Sequence, residues 1–327
     1  MINHLASWKS KEDGGTGSKE AIMDFVENVA SKIDPADRIA TFDNDGTLWS
    51  ERPRYFQEYF IFPALLKVDH VVDEHAENKQ APLTKKELWQ KDKEHYIGKT
   101  TEEYITAANQ FVQDTNHPIE KFNSYKLAGM TYQPLIELLN YLRANEFKVY
   151  ICSGGGRDFV RSFAQQAYGI PPENVIGSSI VTEYDPSQGS GGDVVRTKVA
   201  ETNAKDQADK GLGQYNDKEG KPVGIQRQIG KRPILACGNS TGDLQMFDYT
   251  DQGAEKSLIV LINHDDEDRE FKYNDTEALH RVEDFATGDS FQVEPNNASL
   301  IKANKPENPH WRVVSMKDDF KQIFPAK

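Results

Sequence analysis

Short apolar runs alternate with amphipathic stretches along most of the chain. The apolar runs have the length of strands, and the stretches between them place apolar residues three and four positions apart, as helices do. Strands that alternate with helices in this way predict an α/β fold with a parallel, doubly wound sheet. The runs expected to form its main strands are residues 38–42, 147–152, 233–237 and 257–262.

A polar turn follows three of these predicted strands at once. The turns are residues 43–47, 153–156 and 238–243. Ligand sites in doubly wound sheets lie at the carboxyl ends of the strands. The three turns therefore predict one shared site at this edge of the sheet.

The connection between the first two strands has a helical pattern of its own. It carries no strong strand signal, and Thr100 with Glu103 fits a helix capping box. Roughly seventy residues are far too many for a loop, so a packed helical cap domain is expected. The expected boundaries are residues 1–17 for a flexible, charged and glycine-rich tail, 55–125 for the cap, and 18–54 with 126–327 for the α/β core.

Charge and hydropathy exclude several kinds of partner. The 327 residues carry a formal net charge of -13, which repels nucleic acid and anionic membranes at long range. No apolar run approaches the ~20 residues that a membrane-spanning helix needs. We therefore expect neither a nucleic-acid partner nor insertion into a membrane. The start of the chain lacks the hydrophobic region of a signal peptide, which favours the cytoplasm.

The three polar turns carry a recognisable set of side chains. The first reads FDNDGT from Phe42 to Thr47, the second SGGG from Ser153, and the third GNSTGD from Gly238 to Asp243. An aspartate-capped turn would explain the first alone, but the other two turns agree with a phosphate site. Glycines let backbone amides approach an anion, and a helix start adds a favourable dipole.

Together these turns resemble the motifs of the haloacid dehalogenase superfamily, and more closely those of its phosphoserine-phosphatase-like members. Ser153 resembles the second motif, and GNSTGD the acidic fourth motif. Lys221 resembles the lysine of the third motif, although Lys198, Lys218 and Lys231 compete for that role. The helical insertion is similar to the mobile cap of subclass I enzymes. The whole run is also similar to a bacterial group of such hydrolases that often carry export signals, which makes an exported protein the alternative to a cytoplasmic one.

The resemblance implies a role for each motif residue. Asp43 is the expected nucleophile toward phosphorus, and Asp45 the expected general acid and base. The dehalogenases that name the superfamily lack this second aspartate, so Asp45 points to phosphoryl transfer. The residues expected to contact the phosphate are Thr47, Ser153, Gly154 and Lys221.

A phosphate dianion that approaches these aspartates is repelled, so a cation is needed. Each like-charge pair at ~4 Å costs about 4 kcal/mol at an effective dielectric of about 20. The expected cofactor is Mg2+, with Asp43, Asp45 through its backbone carbonyl, Asn239 and Asp243 as the predicted ligands. Asn239 stands where many relatives carry aspartate. The site therefore has one negative charge less, which places more weight on Asp243.

The sequence therefore predicts a magnesium-dependent phosphohydrolase for a small phosphomonoester. Two alternatives stay open: a phosphotransferase or mutase on the same scaffold, and a phosphate-binding protein with little turnover. Glu51, which could gate the cap, contact substrate or lie on the surface, has no assigned role. The acidic run from His264 to Asp268 is expected to be a solvated face.

Overall fold

The computed structural model describes residues 5–70, 96–188, 191–197, 212–273, 281–283, 290–292 and 298–326. The described strands are β1 Ile39–Phe42, β2 Lys148–Gly156, β3 Val175–Ile180, β4 Thr182–Asp185, β5 Asp193–Arg196, β6 Leu212–Gln214, β7 Leu235–Gly238, β8 Leu258–Asn263, β9 Arg281–Glu283, β10 Ser290–Gln292 and β11 Trp311–Ser315. The described α-helices are α1 Ser18–Asp24, α2 Phe56–Ile61, α3 Ala64–His70, α4 Thr101–Asp114, α5 Gln133–Ala144, α6 Arg157–Tyr168, α7 Gly220–Gln228, α8 Leu244–Thr250, α9 Ala298–Ala303 and α10 Met316–Asp319.

Seven of the strands form one sheet, in the order β11-β8-β7-β1-β2-β3-β6. Its first six strands run parallel, and only β6 at the edge pairs antiparallel, with β3. All four residues of β1 are buried, as expected for a central strand with helices on both faces. The predicted α/β fold with a parallel, doubly wound sheet is confirmed.

The strand order reverses between β1 and β7. The chain leaves β1 toward β2 and β3 on one side, then returns to build β7, β8 and β11 on the other. A crevice forms outside the carboxyl ends of the strands at such a reversal, and ligands of doubly wound folds bind there. Asp43 follows β1 and Asn239 follows β7, so both lie at this position.

The described part of the 55–125 insertion is mainly helical and packs on the core. The predicted capping box is present: Thr100 Oγ1 accepts from the Glu103 amide, and the Glu103 carboxylate accepts from the Thr100 amide. Phe60 of α2 packs on Phe159 of α6, with 5.7 Å between ring centroids. Asn109 of α4 donates to the Ser162 carbonyl of the same core helix at 2.5 Å. The insertion therefore shares one apolar cluster with α6, while its boundaries as a separate domain stay a prediction.

The expected flexible tail is wrong for Leu5, Ser7 and Trp8, which are buried against the core. Residues 11–14 of the same segment are exposed. Trp8 is fully buried, and its Nε1 donates to the Pro134 carbonyl at 2.8 Å. The Trp8 ring also meets Phe320 edge-on at 4.9 Å. The polar composition of the segment did not predict this contact, because the apolar area that one tryptophan buries is enough to hold a segment rich in exposed glycines and lysines.

Within the described residues, no helix is long and apolar enough to cross a membrane.

Candidate active site

The turn after β1 is held tightly against the turn after β7. The Asp43 amide donates to the Cys237 carbonyl at 2.9 Å, which ties the ends of the two strands together. Gly46 has φ +72°, a conformation that side chains disfavour. A Cβ at Gly46 would lie 2.1 Å from Asn239 Nδ2 and 2.7 Å from Glu51 Oε1. Glycine is therefore required here by both backbone conformation and space.

Lys221 links the two predicted ends of the site. It is the second residue of α7, and only 2% of it is exposed. Its Nζ donates to Asp43 Oδ1 at 2.8 Å and to Asp243 Oδ1 at 2.5 Å. An ammonium group has three N–H donors, so one more is left for a ligand. We call Asp43, Lys221 and Asp243 the reactive cluster.

The competing lysines do not reach this position. Lys218 is exposed, and Lys231 pairs with the exposed Asp37 far from the turns. Lys198 lies outside the described residues. Among the described residues, Lys221 is thus the lysine that contacts the Asp43 carboxylate.

Burial and shared charge shift the pKa values of the reactive cluster. Burial and the negative charge of Asp243 raise the pKa of Asp43 well above its ordinary value, and Lys221 offsets this only in part. Burial alone would lower the pKa of Lys221, but the charges of Asp243 and Asp43 outweigh burial and raise it. Two carboxylates that share one buried ammonium leave this cluster with excess negative charge, which favours binding of a further cation.

Asp45 lies in the turn after β1, two residues beyond Asp43. The indole Nε1 of Trp49 donates to Asp45 Oδ1 at 2.8 Å. A Cβ added at Gly155 would lie 3.4 Å from Asp45 Oδ2, so this oxygen faces the second turn. Burial raises the pKa of Asp45 to about 6, the nearby Glu51 charge adds to the rise, and the Trp49 hydrogen bond opposes it. A carboxyl group that titrates near neutrality is suited to both giving and taking a proton.

The second turn is more extended than the sequence predicts. Strand β2 runs on to Gly156, so Ser153 to Gly156 form strand residues. Ser153 is fully buried, and its Oγ accepts from the Gly155 amide at 3.0 Å. The Gly156 amide donates to Gln57 Oε1 of α2 at 2.8 Å. Gln57 thus brings the helical insertion to the site, a contact that sequence reasoning missed because an isolated glutamine carries no signal.

Two further side chains lie around the phosphate-site candidates. Thr47 is fully buried, and its Oγ1 donates to Asn239 Oδ1 at 3.3 Å. A Cβ at Gly154 would lie 3.5 Å from Asp217 Oδ1, which places that carboxylate beside the second turn. The structure thus brings Ser153 and Gly154 to the cleft, while Thr47 forms a hydrogen bond with the side chain of Asn239.

Asp243 is committed to the lysine and to its own turn. Its Oδ2 accepts from the backbone amides of Asn239 and Ser240, each at 3.0 Å, while its Oδ1 accepts from Lys221. A carboxylate with both oxygens used in this way holds the turn and the lysine in place. The amide of Asn239 is oriented in turn by Glu51, because Asn239 Nδ2 donates to Glu51 Oε1 at 3.1 Å.

The donor set around the cleft fits Mg2+ with few protein ligands. Asp43 Oδ2 has no hydrogen-bond partner among the described residues, and the Asp45 carbonyl and Asn239 Oδ1 supply further oxygens near the same turn. Mg2+ prefers oxygen ligands and keeps several waters, so one carboxylate with two neutral oxygens suffices. In the described ranges, no group of three or more His, Cys, Asp or Glu side chains could hold a metal by itself. The four predicted ligands stay a prediction.

The acidic run after β8 is not a solvated face, contrary to the sequence prediction. His264 and Asp266 are buried, and only Glu267 and Asp268 are exposed. The His264 ring lies between two acceptors, with Nε2 at 2.6 Å from the Gly46 carbonyl and Nδ1 at 3.3 Å from Glu270 Oε2. A ring protonated on both nitrogens donates to both. Charge count alone could not reveal this, because the histidine folds back under the turn.

Glu270 holds the His264 ring on the side away from Gly46. Its carboxylate accepts hydrogen bonds from Ser50 Oγ and Tyr132 OH, each at 2.9 Å, and from the Phe271 amide at 2.6 Å. Burial alone would raise the pKa of Glu270, but the hydrogen bonds and the charge of His264 outweigh burial and lower it. We call Ser50, Tyr132, His264 and Glu270 the supporting cluster.

The family comparison agrees with the site. A model of the family described as haloacid dehalogenase-like hydrolase matches residues 38–197. Residues 38–197 therefore form a haloacid dehalogenase-like hydrolase domain. The matched stretch contains Asp43, Asp45, Thr47, Ser153 and Gly154. Lys221, Asn239 and Asp243 follow it in sequence, and β7 and α7 bring them to the same cleft.

Solved structures similar to this hydrolase are distant in sequence. A protein of unknown function from Anaerococcus prevotii is 15% identical, with 81% of this chain and 89% of that chain covered and a TM-score of 0.44. A phosphoserine phosphohydrolase-like protein from Francisella tularensis is 14% identical, with 69% and 88% covered and a TM-score of 0.35. These scores are too low to carry an argument about activity. No curated protein matches the chain.

Proposed function

We propose that this hydrolase is a magnesium-dependent phosphatase that acts on a small phosphomonoester through a phosphorylated Asp43. The observation that carries the proposal is the position of Lys221, whose buried ammonium lies between Asp43 and Asp243. A buried cation suits a phosphate dianion and an attacking carboxylate together when it lies beside an aspartate that, among the described residues, has one oxygen without a partner.

In the first step, an oxygen of Asp43 attacks phosphorus in line with the ester oxygen. The bond between phosphorus and the ester oxygen breaks, and Asp45 donates its proton to the departing alkoxide. The Trp49 indole holds Asp45 Oδ1, which leaves Oδ2 directed toward the cleft near Gly155. Lys221 and the glycine-rich end of β2 bind the phosphate oxygens.

In the second step, Asp45 takes a proton from a water molecule that attacks the phosphoryl group. The bond between phosphorus and Asp43 breaks, inorganic phosphate leaves, and both carboxyl groups return to their starting forms. Asp43, the Asp45 carbonyl, Asn239 and Asp243 would hold Mg2+, which would offset the charge of the phosphate and of the attacking carboxylate.

Three features support a small substrate. Asp43, Ser153 and Lys221 are all buried, so the phosphate of a substrate must reach into a narrow cleft. The net charge of -13 disfavours long polyanions. Gln57, on a helix of the insertion, accepts a hydrogen bond from the Gly156 amide at the end of β2, so this helix lies beside the proposed phosphate-binding residues.

Hydrolysis of a chromogenic aryl phosphate tests the proposal. We expect release of the aryl alcohol with Mg2+, loss of release in chelator, and a drop of about 10^4-fold or more for Asp43→Asn. Asp37→Asn, which removes an exposed aspartate, is the matched control and should keep wild-type turnover. Full activity in chelator after exhaustive dialysis would contradict the role of the metal. Transfer to added alcohols in preference to water would instead identify a phosphotransferase.

A further inference from the structure

Glu51 is a buried acid beside the site that the catalytic steps do not use. It is 9% exposed, and its Oε1 accepts from Asn239 Nδ2 at 3.1 Å. The same oxygen is 2.7 Å from the position that a Cβ on Gly46 would occupy. Glu51 therefore packs against the Asp43 turn and against the neutral residue of the predicted metal site at once.

The contact decides which way the Asn239 amide faces. An asparagine side chain has one oxygen that can bind a cation and one NH2 group that cannot. Glu51 takes a hydrogen bond from the NH2 group, and Thr47 Oγ1 donates to the oxygen at 3.3 Å. A carboxylate accepts only, so an amide rotated by half a turn would set two oxygens against each other at this contact.

The contact also places a negative charge near the neutral ligand. Asn239 contributes an oxygen but no charge, whereas Glu51 contributes a carboxylate one hydrogen bond further from the cleft. A residue that forms a hydrogen bond with a metal ligand can orient that ligand and add charge near the metal, and so change the affinity for the metal.

We propose that Glu51 is a positioning residue for Asn239: it fixes the amide with its oxygen available to Mg2+ and supplies the negative charge that an aspartate at 239 would carry. The inference rests on the proposed magnesium site. In this chain, the amide of Asn239 and the carboxylate of Glu51 would together supply the oxygen ligand and the negative charge that a single aspartate at 239 supplies by itself.

A charge-swap series separates this role from others. Mg2+ binding is measured by calorimetry, without substrate, for wild type, Glu51→Gln, Asn239→Asp and the double variant. Glu51→Gln should weaken Mg2+ binding by about 10- to 100-fold. The double variant should recover affinity to within a few-fold of wild type, because the charge then lies on residue 239 and the glutamine amide can donate to it. Glu267→Gln, which removes an exposed glutamate, is the control and should bind as wild type does.

The melting temperature without Mg2+ gives a second readout. Asn239→Asp sets two carboxylates against each other beside Gly46, so it should melt lower than wild type, and adding Glu51→Gln should restore the loss. This readout also serves if Glu51→Gln alone folds poorly. Unchanged melting of Asn239→Asp would overturn the contact.

The outcomes distinguish this inference from the proposed function. Two results overturn the inference and leave the proposed phosphatase activity intact. One is that Glu51→Gln binds Mg2+ as tightly as wild type does. The other is that the double variant binds Mg2+ no more tightly than Glu51→Gln. A raised KM with unchanged Mg2+ affinity assigns Glu51 to substrate and also overturns it. A wild-type protein that binds no Mg2+ and hydrolyses the aryl phosphate without it overturns both.

Discussion

Two buried charge clusters contact the same turn after β1, yet the pKa of the buried carboxyl group shifts in opposite directions in the two clusters. In the reactive cluster, the pKa of Asp43 is raised well above its ordinary value. In the supporting cluster, the pKa of Glu270 is lowered. Two causes differ between the clusters: the negative charge of Asp243 beside Asp43, and the number of hydrogen-bond donors. Asp43 shares one ammonium with Asp243, whereas Glu270 accepts from two hydroxyl groups, a backbone amide and His264.

We infer from this difference that Asp43 is available for reaction, whereas Glu270 stabilises the fold. A buried carboxylate with too few donors is stabilised when a cation binds beside it. The carboxylates of the reactive cluster therefore gain their full stabilisation only when a ligand is bound. A carboxylate whose donors are all in place contributes to the folded state. The three predictions below ask whether this division is real.

The largest expected effect is that of Lys221→Met on catalysis. Without the ammonium, Asp43 and Asp243 are left as unpaired buried acids and the phosphate loses a donor. We expect kcat/KM to fall by about 10^2- to 10^3-fold and the free energy of unfolding to fall by about 3–5 kcal/mol, less if the acids take up protons. Aryl phosphate kinetics and urea unfolding measure the two effects. Lys231→Met removes an exposed lysine and should change neither. A Lys221→Met protein with wild-type kcat/KM would refute the role of the reactive cluster.

A smaller effect, on stability, is expected for Glu270→Gln. The glutamine NH2 group would face the Phe271 amide or the histidine, so one buried donor loses its acceptor, at a cost of about 1–3 kcal/mol. The folded pKa of Glu270 is below its ordinary value of 4.5, so its contribution to stability is present above that pH. The contribution is lost as the pH falls through the lower, folded pKa.

Urea unfolding of wild type and Glu270→Gln between neutral pH and pH values below 4.5 measures this contribution. The difference in unfolding free energy should be largest near neutrality and shrink in acid. A difference that stays constant with pH would show that the charge of Glu270 contributes nothing.

The smallest effect distinguishes two histidines that each pair with a carboxylate, the buried His264 and the partly exposed His310. His264 contacts Gly46 in the turn after β1, while His310 pairs with Asp251 at the other end of the strands, ahead of β8 and β11. We expect His264→Ala to lower kcat by about tenfold through misplacement of the turn. His310→Ala should lose comparable stability and keep kcat. Equal kcat values in the two variants would reduce His264 to a purely structural residue.

The sequence predicted the parts of the molecule that repeat a local pattern. Four apolar runs are enough to place the strands of a parallel sheet, and the turns that follow them contain Asp43, Asp45 and Ser153. These features depend on neighbours in sequence, and periodicity reports them.

The contacts that the sequence did not predict join residues far apart in the chain. Glu51 meets Asn239 188 positions away, and His264 meets Gly46 218 positions away. Trp8 is held by Pro134 across 126 positions. No local pattern distinguishes such a residue from a surface glutamate, a solvated histidine or a loose tail. Tertiary packing alone decides their roles.

The central claim is that Asp43 becomes phosphorylated, and trapping the phosphoenzyme tests it most directly. Asp45→Asn should slow release of the phosphoryl group, so this variant is mixed with aryl phosphate and Mg2+, quenched in acid and digested. Mass spectrometry should find one phosphoryl group on the peptide that contains Asp43, and none when Asp43→Asn is added to the variant. A phosphoryl group on another residue, or phosphate release with an unmodified Asp43 peptide at every time point, would contradict the account.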